Sequence, residues 1–298
     1  MLAPMAGVND PVFRGICKRM GAALTYTEMV SAVGLAYGSQ KTETLLYMTD
    51  EEKPAAVQLF GKDPATLAQQ AAWVEDNYGE SIALIDINMG CPARKIAGKG
   101  EGAALMRDPA LAAQILRAVV AAVRVPVSVK FRKGYALGED TAVEFARMAQ
   151  DCGVAQIAVH GRTAQQMYHG ESDRALVGRV KAAVDIPVIA SGDVFGADDI
   201  RAYVEDFGAD GVMVARGAQG NPWIFAGHEP GIEERVAVAR EHTRGLARMF
   251  EHRLASMRKH IPWYFKGLPH VSTIRREVQL CQGLDDYEAL FERILAWQ

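Results

Sequence analysis

Cys91 stands between Gly90 and Pro92 in the run "DINMGCPARK". The proline restricts the backbone of the residue before it, and the glycine permits a close turn. A thiol fixed on such a turn, just after the apolar run "SIALIDINM", can donate a proton or act as a nucleophile. Buried structural roles are the commoner ones for cysteine, and they are expected for Cys17, Cys152 and Cys281. Other polar side chains also sit at the ends of apolar runs. Gln58 lies in "AAVQLFG", Asn88 precedes Cys91, and Lys130 and Arg132 close "VPVSVKFR". His160 and Arg162 follow "AQIAV"; Ser191, Gly192 and Asp193 follow "IPVIA"; Ala215 and Arg216 follow "DGVMV".

The turns "SGD" and "ARGAQG" carry glycines, so their backbone can approach a ligand closely and point N–H groups at a phosphate. Ordinary tight turns are the other reading; glycines in both turns, with Arg216 beside them, favour phosphate. Lys130 ends an apolar strand and needs an anionic partner. Glu28 or Asp86 can supply a structural ion pair, and the anionic pyrimidine edge of a reduced flavin can supply one too. The amide of Gln58 can pair with a heterocycle's donor and acceptor together. His160 reads equally as a satisfied core histidine. What gives these residues weight is convergence on one rim. A phosphate-anchored organic cofactor beside one thiol points to redox chemistry.

The elements that bring them together are short, β-branched runs: "LAP", "ALTYTEM", "AAVQLFG", "ALIDINM", "VPVSVKF", "AQIAVHG", "IPVIASG" and "DGVMVAR". Amphipathic helical patterns such as "PATLAQQAAWVEDNYG" and "PALAAQILRAVVAAVR" separate them. Eight βα units predict an α/β fold, a (β/α)8 TIM barrel whose strand ends form one rim. A doubly wound sheet is disfavoured because no GxGxxG follows the first strand. Prolines and glycines in "GNPWIFAGHEPG" mark a boundary, after which the strand-like runs stop. Residues 1–229 are therefore expected to form the barrel, and 230–298 a small all-helical C-terminal domain. The opening "MLAPMAGVND" reads like the interior of a strand-and-loop unit.

The 298 residues are 49% hydrophobic and 23% charged, with a net charge of −3. These values fit an ordinary globular chain and give no global signal for nucleic acid. The charge is uneven, however. Residues 235–276 hold 10 Lys/Arg against two acids, Glu241 and Glu251. Arg240, Arg244 and Arg248 are four residues apart and share one helical stripe, extended by Arg258, Lys259, Lys266, Arg275 and Arg276. A solvated charged face is the usual meaning of such a stripe; the local excess favours RNA phosphates. At least two of Trp263, Tyr264 and Phe265 are expected in the helical core. No CxxC pair or Cys/His cluster has zinc spacing, and no Walker loop or GxSxG elbow occurs. A metal-free, monomeric, cytoplasmic protein without a membrane segment is expected.

In order along the chain, "APMAGVND", "DINMGCPARKIAGKGEGAALM", "VKFRKG", "VHGRTAQQMYHGESD", "SGDV" and "ARGAQGNPWIF" resemble the bacterial tRNA-dihydrouridine synthases. The tail "MRKHIPWYFKGLP" is similar to their B-type branch. The resemblance spans nearly the whole chain. It implies an FMN-bound barrel, a helical domain that grips tRNA, and NADPH-driven reduction of a specific uridine to 5,6-dihydrouridine. By motif position, Pro4, Met5 and Ala6 are expected along the flavin, and Gln58 and Lys130 at its pyrimidine edge and ribityl oxygens. His160 is expected on the ribityl-phosphate side, and Ser191, Gly192, Asp193, Ala215 and Arg216 around the phosphate. Hydride from the reduced flavin goes to C6 of the base, and Cys91 supplies the proton to C5. A thiol suits that role, because it is protonated at neutral pH yet transfers its proton readily. Asn88 is expected at the uracil edge, and Arg162 at a uracil carbonyl or an RNA phosphate. The family more often has Asn at position 191 and Gly at 215, small changes where backbone makes much of the contact. A dihydroorotate-dehydrogenase-like reductase of free pyrimidines shares barrel, flavin and thiol but does not need the basic tail. A tRNA-binding folding aid with a vestigial flavin site is a third reading.

Overall fold

Three helices begin with the same pair of residues, Asp then Pro: Pro11–Arg19, Pro64–Tyr78 and Pro109–Ala122. In each, the aspartate (Asp10, Asp63, Asp108) accepts backbone N–H bonds of the first turn, and the proline takes the first helical position, where no N–H is needed. The computed structural model describes residues 1–297. Between the helices run seven parallel strands: β1 (Val30–Ser31), β2 (Ala55–Phe60), β3 (Ile82–Met89), β4 (Val127–Arg132), β5 (Gln156–His160), β6 (Val188–Ser191) and β7 (Gly211–Met213). They neighbour one another in chain order. Leu2 closes the ring by bridging Thr25 on one side and Val214 on the other. The expected eight-stranded barrel is thus present, but its first strand is reduced to one bridged residue. The expected second strand splits into bridges at Thr25 and Tyr26 followed by β1.

Side chains alternate along a strand, so every second residue shares a face. Ala3, Tyr26, Ala56, Leu84, Ala158, Ile189 and Met213 form a small apolar cluster of their own. Their strand neighbours Val57, Ile85, Ile157 and Val188 join the larger core shared with the helices. Two residues beyond the small cluster the same face turns polar. Ala56 leads to Gln58, Leu84 to Asp86 and Asn88, Ala158 to His160, and Ile189 to Ser191. An apolar plug therefore fills the barrel, and the polar residues gather at the C-terminal rim, where barrels of this kind carry chemistry.

After Pro222–Phe225 the chain is helical: Ile232–Met249, Met257–Tyr264, Val271–Glu277 and Leu284–Ala296. Helix Ile232–Met249 breaks off at Phe250 (φ −149°, ψ 71°), and a 3-10 stretch covers Glu251–Ser256. These helices have a second core, which extends onto Ile16 and Trp223. Tyr264 and Phe265 are fully buried in it, and Trp263 packs half-buried against the barrel core. No helix of the described residues is long and apolar enough to cross a membrane.

The two cores meet at a buried polar knot. His242 Nε2 lies 2.9 Å from Asp10 Oδ2, and its Nδ1 lies 2.9 Å from the Tyr264 hydroxyl. Burial alone would raise the Asp10 pKa; the charge and hydrogen bond of His242 outweigh it and hold the carboxyl well below the usual range. His260 packs edge-on to the rings of His242 and Trp263 and tilted against Phe13; its Nε2 lies 3.8 Å from Asp10, and neither ring nitrogen has a hydrogen-bond partner among the described residues. Burial, reinforced by the neighbouring His242, pushes its pKa down to about 3. An unfolded histidine titrates near 6.5. Below that pH the unfolded chain takes up a proton that the folded protein refuses, so stability falls as pH drops from about 6.5 towards 3. By pH 5 the loss is about 2 kcal/mol. Urea unfolding at pH 7 and pH 5 is expected to show a drop in the parent that is smaller by about 2 kcal/mol in His260→Phe, while the buried, neutral His160 keeps its own share of the drop in both. An undiminished drop in that variant would refute the assignment.

Candidate active site

The rim encloses a cavity of about 370 Å³. Of the expected site residues, Pro4, Met5, Ala6, Asn88, Cys91, Lys130, His160, Ser191, Gly192, Asp193, Ala215 and Arg216 line it together. Residues more than 200 positions apart in the chain thus share one space.

Cys91 follows β3 on a turn held from three sides. The Asn88 side-chain oxygen accepts the N–H groups of Gly90 (3.1 Å) and Cys91 (2.9 Å). Arg132 donates from Nε to the Gly90 carbonyl at 2.8 Å. The Cys91 carbonyl accepts the Ala103 N–H at 3.0 Å. Behind Asn88 runs a buried relay. Asn88 donates to the Gln58 carbonyl oxygen (2.8 Å), Gln58 donates to Asp86 (2.6 Å), and Ser128 donates to the other Asp86 oxygen (2.5 Å). Burial pushes the Asp86 carboxyl up to about 6, against the hydrogen bonds of Gln58 and Ser128. Gln58 therefore braces the cysteine turn from behind. It is fully buried, does not line the cavity, and has both ends of its amide engaged.

Lys130 lies two residues before the end of β4 and lines the cavity, and no ion pair or hydrogen bond reaches its ammonium among the described residues. Glu28 pairs with Arg253 instead, at 2.7 Å, and Asp86 is held in the relay. Burial first, then Arg132, lowers the Lys130 pKa to about 8. His160 closes β5 with Nε2 buried and unpartnered. Burial, with Arg132, Lys130 and Arg162 around it, keeps the ring well below the usual histidine range and so neutral. Gly192 has φ +119°, a region side chains avoid, and a Cβ there would lie 2.3 Å from Ser172 Oγ and 2.8 Å from His160 Cδ2. An orphaned imidazole nitrogen, an unpaired ammonium and a glycine turn in one cavity fit a planar heterocycle carrying a phosphate.

Arg162 departs from expectation. Its side chain is 3% exposed and its guanidinium meets Asp193 at 2.6 and 2.8 Å and the carbonyls of His169 and Gly170. It locks the Gly192–Asp193 turn from behind and does not line the cavity. Arg132, Tyr168, Phe195 and Lys95 line it without having been singled out as site residues. Arg132 was visible at a strand end. The Tyr168 and Phe195 rings, 4.8 and 5.5 Å from the Arg216 guanidinium, lie in loops without a local signal.

The basic stripe is divided. Arg240 reaches Glu288 (2.8 Å) and Glu292 (2.6 Å), and Arg244 reaches Glu288 at 2.5 Å. Both tie helix Ile232–Met249 to helix Leu284–Ala296. Lys259 donates to the carbonyl of Gly7. Arg248 and Lys266 are exposed and form no ion pair among the described residues. Three ionisable residues that no local spacing suggested, Asp10, His242 and His260, also come together, in the knot described above.

A dihydrouridine synthase family model matches residues 1–296. The chain is 39% identical to tRNA-dihydrouridine synthase B of Pseudomonas aeruginosa, covering 96% of this chain and 89% of that one. It is 40% identical to the protein of the same name from Xanthomonas axonopodis pv. citri (97% and 90% covered). It is 39% identical to a probable tRNA-dihydrouridine synthase of Rickettsia conorii (99% and 91%). Histamine dehydrogenase from Rhizobium sp. 4-9 superposes with a TM-score of 0.54 at 14% identity, over 87% of this chain and 46% of that one, a likeness of fold. With the family model and these relatives matching from end to end, the chain belongs to the dihydrouridine synthase family.

Proposed function

We propose that the rim cavity binds FMN, that NADPH reduces it, and that Cys91 protonates the uracil ring. The chain is a flavin-dependent oxidoreductase that reduces a tRNA uridine to dihydrouridine. What supports the finer reading is the convergence of Cys91, Lys130, His160 and the Gly192 and Arg216 turns on one cavity. When bound, the flavin supplies the hydride. Lys130 and His160 offer a cation and a neutral imidazole to its polar edge and side chain, and the 191–193 and 215–216 turns hold its phosphate. Pro4, Met5 and Ala6 form an apolar wall that excludes water. Asn88 and Arg132 hold the Cys91 turn, so that the thiol keeps a proton ready for C5 of the base. In this reading the base leaves the RNA stack to enter the cavity, residues 230–298 grip the tRNA, and the reaction runs in the cytoplasm.

The test is reconstitution. The full chain is expected to turn yellow with FMN, to bleach with NADPH under anaerobic conditions, and to regain colour on adding tRNA that lacks dihydrouridine. Mass spectrometry is then expected to find dihydrouridine at a defined position. A chain that takes up no FMN, or leaves tRNA unchanged, overturns the proposal.

The divided stripe has its own consequence. Arg248→Glu with Lys266→Glu is expected to weaken tRNA binding about tenfold at low salt. The log K against log salt slope should become shallower by about one to two. Arg244→Gln is expected to leave that slope unchanged, since its guanidinium already serves Glu288. Filter binding across a salt series decides: equal slopes for the parent and the double variant would remove Arg248 and Lys266 from the RNA contact.

A further inference from the structure

Ala3, Pro4, Met5, Ala6 and Val8 all line the cavity, and the loop that carries them turns at Gly7, with φ +71°. Both backbone groups of Gly7 are held by side chains. Its N–H donates to one carboxylate oxygen of Glu28, and its carbonyl accepts from the Lys259 ammonium. The other Glu28 oxygen accepts from Arg253 at 2.7 Å. Glu28 is only 7% exposed, and the next residue, Met29, also lines the cavity. From the barrel side, Asn9 steadies the loop by donating to the carbonyls of Ala3 and Tyr26, both at 2.8 Å.

Arg253 and Lys259 belong to the helical region and do not line the cavity. Resting on the flavin reading above, we infer that Arg253, Glu28 and Lys259 are positioning residues that make the Pro4–Val8 wall depend on how the helical region is seated. Charge-assisted hydrogen bonds are stronger than neutral ones, and here they act on a segment with little ladder pairing of its own. The coupling is reciprocal: loosening the clamp loosens the flavin, and binding the flavin firms the clamp. The C-terminal helical region thereby shapes the part of the barrel rim that holds the cofactor.

The experiment uses the full chain with Arg253→Gln, Lys259→Gln, both together, and Arg201→Gln as an outer-surface control. FMN is titrated by fluorescence quenching, its visible spectrum is recorded, and amide hydrogen exchange is followed over residues 5–9 with and without FMN. The double variant is expected to raise the FMN dissociation constant about tenfold, to alter the bound-flavin spectrum, and to speed exchange at residues 5–9. Lys259→Arg, which keeps the cationic donor that glutamine lacks, is expected to restore most of the affinity that Lys259→Gln loses. The Lys259→Gln single leaves the Arg253–Glu28 and Asp10–His242 contacts intact, so its faster exchange at residues 5–9 reports the loop itself and not undocking. Parent-like affinity and exchange in the double variant would overturn the clamp. A parent chain that binds no FMN would fell the flavin reading instead, and exchange at residues 5–9 would still decide the clamp.

Discussion

Cys91→Ala is expected to lower dihydrouridine formation by about 100-fold or more, the usual effect of losing a general acid, with tRNA affinity and FMN content unchanged. The separation follows from how the turn is built. Asn88, Arg132 and Ala103 hold it through backbone atoms of Gly90 and Cys91, so alanine keeps the same turn. Only the proton source is removed. The measurement is single-turnover reaction of pre-reduced enzyme with tRNA, which isolates the step at the base from reduction by NADPH. Parent-like turnover would remove Cys91 from the chemistry. Lost tRNA binding would show instead that the residue is structural.

Asp193→Asn is expected to destabilise the protein by about 3 kcal/mol or more. The side chain keeps its shape, and asparagine tolerates the φ of +47° at this position, so backbone strain is not the cause. What is lost is the negative charge facing Arg162, whose guanidinium is nearly inaccessible to water. Burial would raise the Asp193 pKa, but the hydrogen bond and charge of Arg162, with the Ser172 N–H and Arg216, keep it below the usual range. Its stabilising effect is therefore present above about pH 4 and fades as acid protonates the carboxyl. Because Asp193 continues the Gly192 turn, FMN affinity is expected to fall as well. Urea unfolding of the single variant, and of Asp193→Asn with Arg162→Met, supplies the check. The second change removes the stranded cation and is expected to recover most of the loss. A single variant within 1 kcal/mol of the parent would show that Arg162 finds other compensation.

Much of the site was legible because strand ends are local facts. An apolar run that closes on Gln58, Asn88, Lys130, His160 or Ser191 identifies a rim residue, whichever barrel it belongs to. The unread part lies in pairings between segments far apart in the chain. Arg162 and Arg244 have the composition of ligand-binding cations, and only the placement of Asp193 and Glu288 shows that each is already occupied. Gln58 has the amide a heterocycle needs, yet the strand beside it presents Asp86 and Asn88 at hydrogen-bond distance first. Tyr168 and Phe195 reach the cavity from loops whose path no periodicity records.

Sequence by itself determined the alternation of strands and helices, the Asp–Pro helix starts, the glycine turns and the position of Cys91 after β3. Each depends on backbone preferences and side-chain periodicity within a few residues. Tertiary structure alone decided which charges are free and which are spent on one another, and that the helical region holds Gly7 through Lys259, 252 residues away. A charged side chain's role depends on the partner within about 4 Å of it, and that partner is chosen by the packing of whole elements.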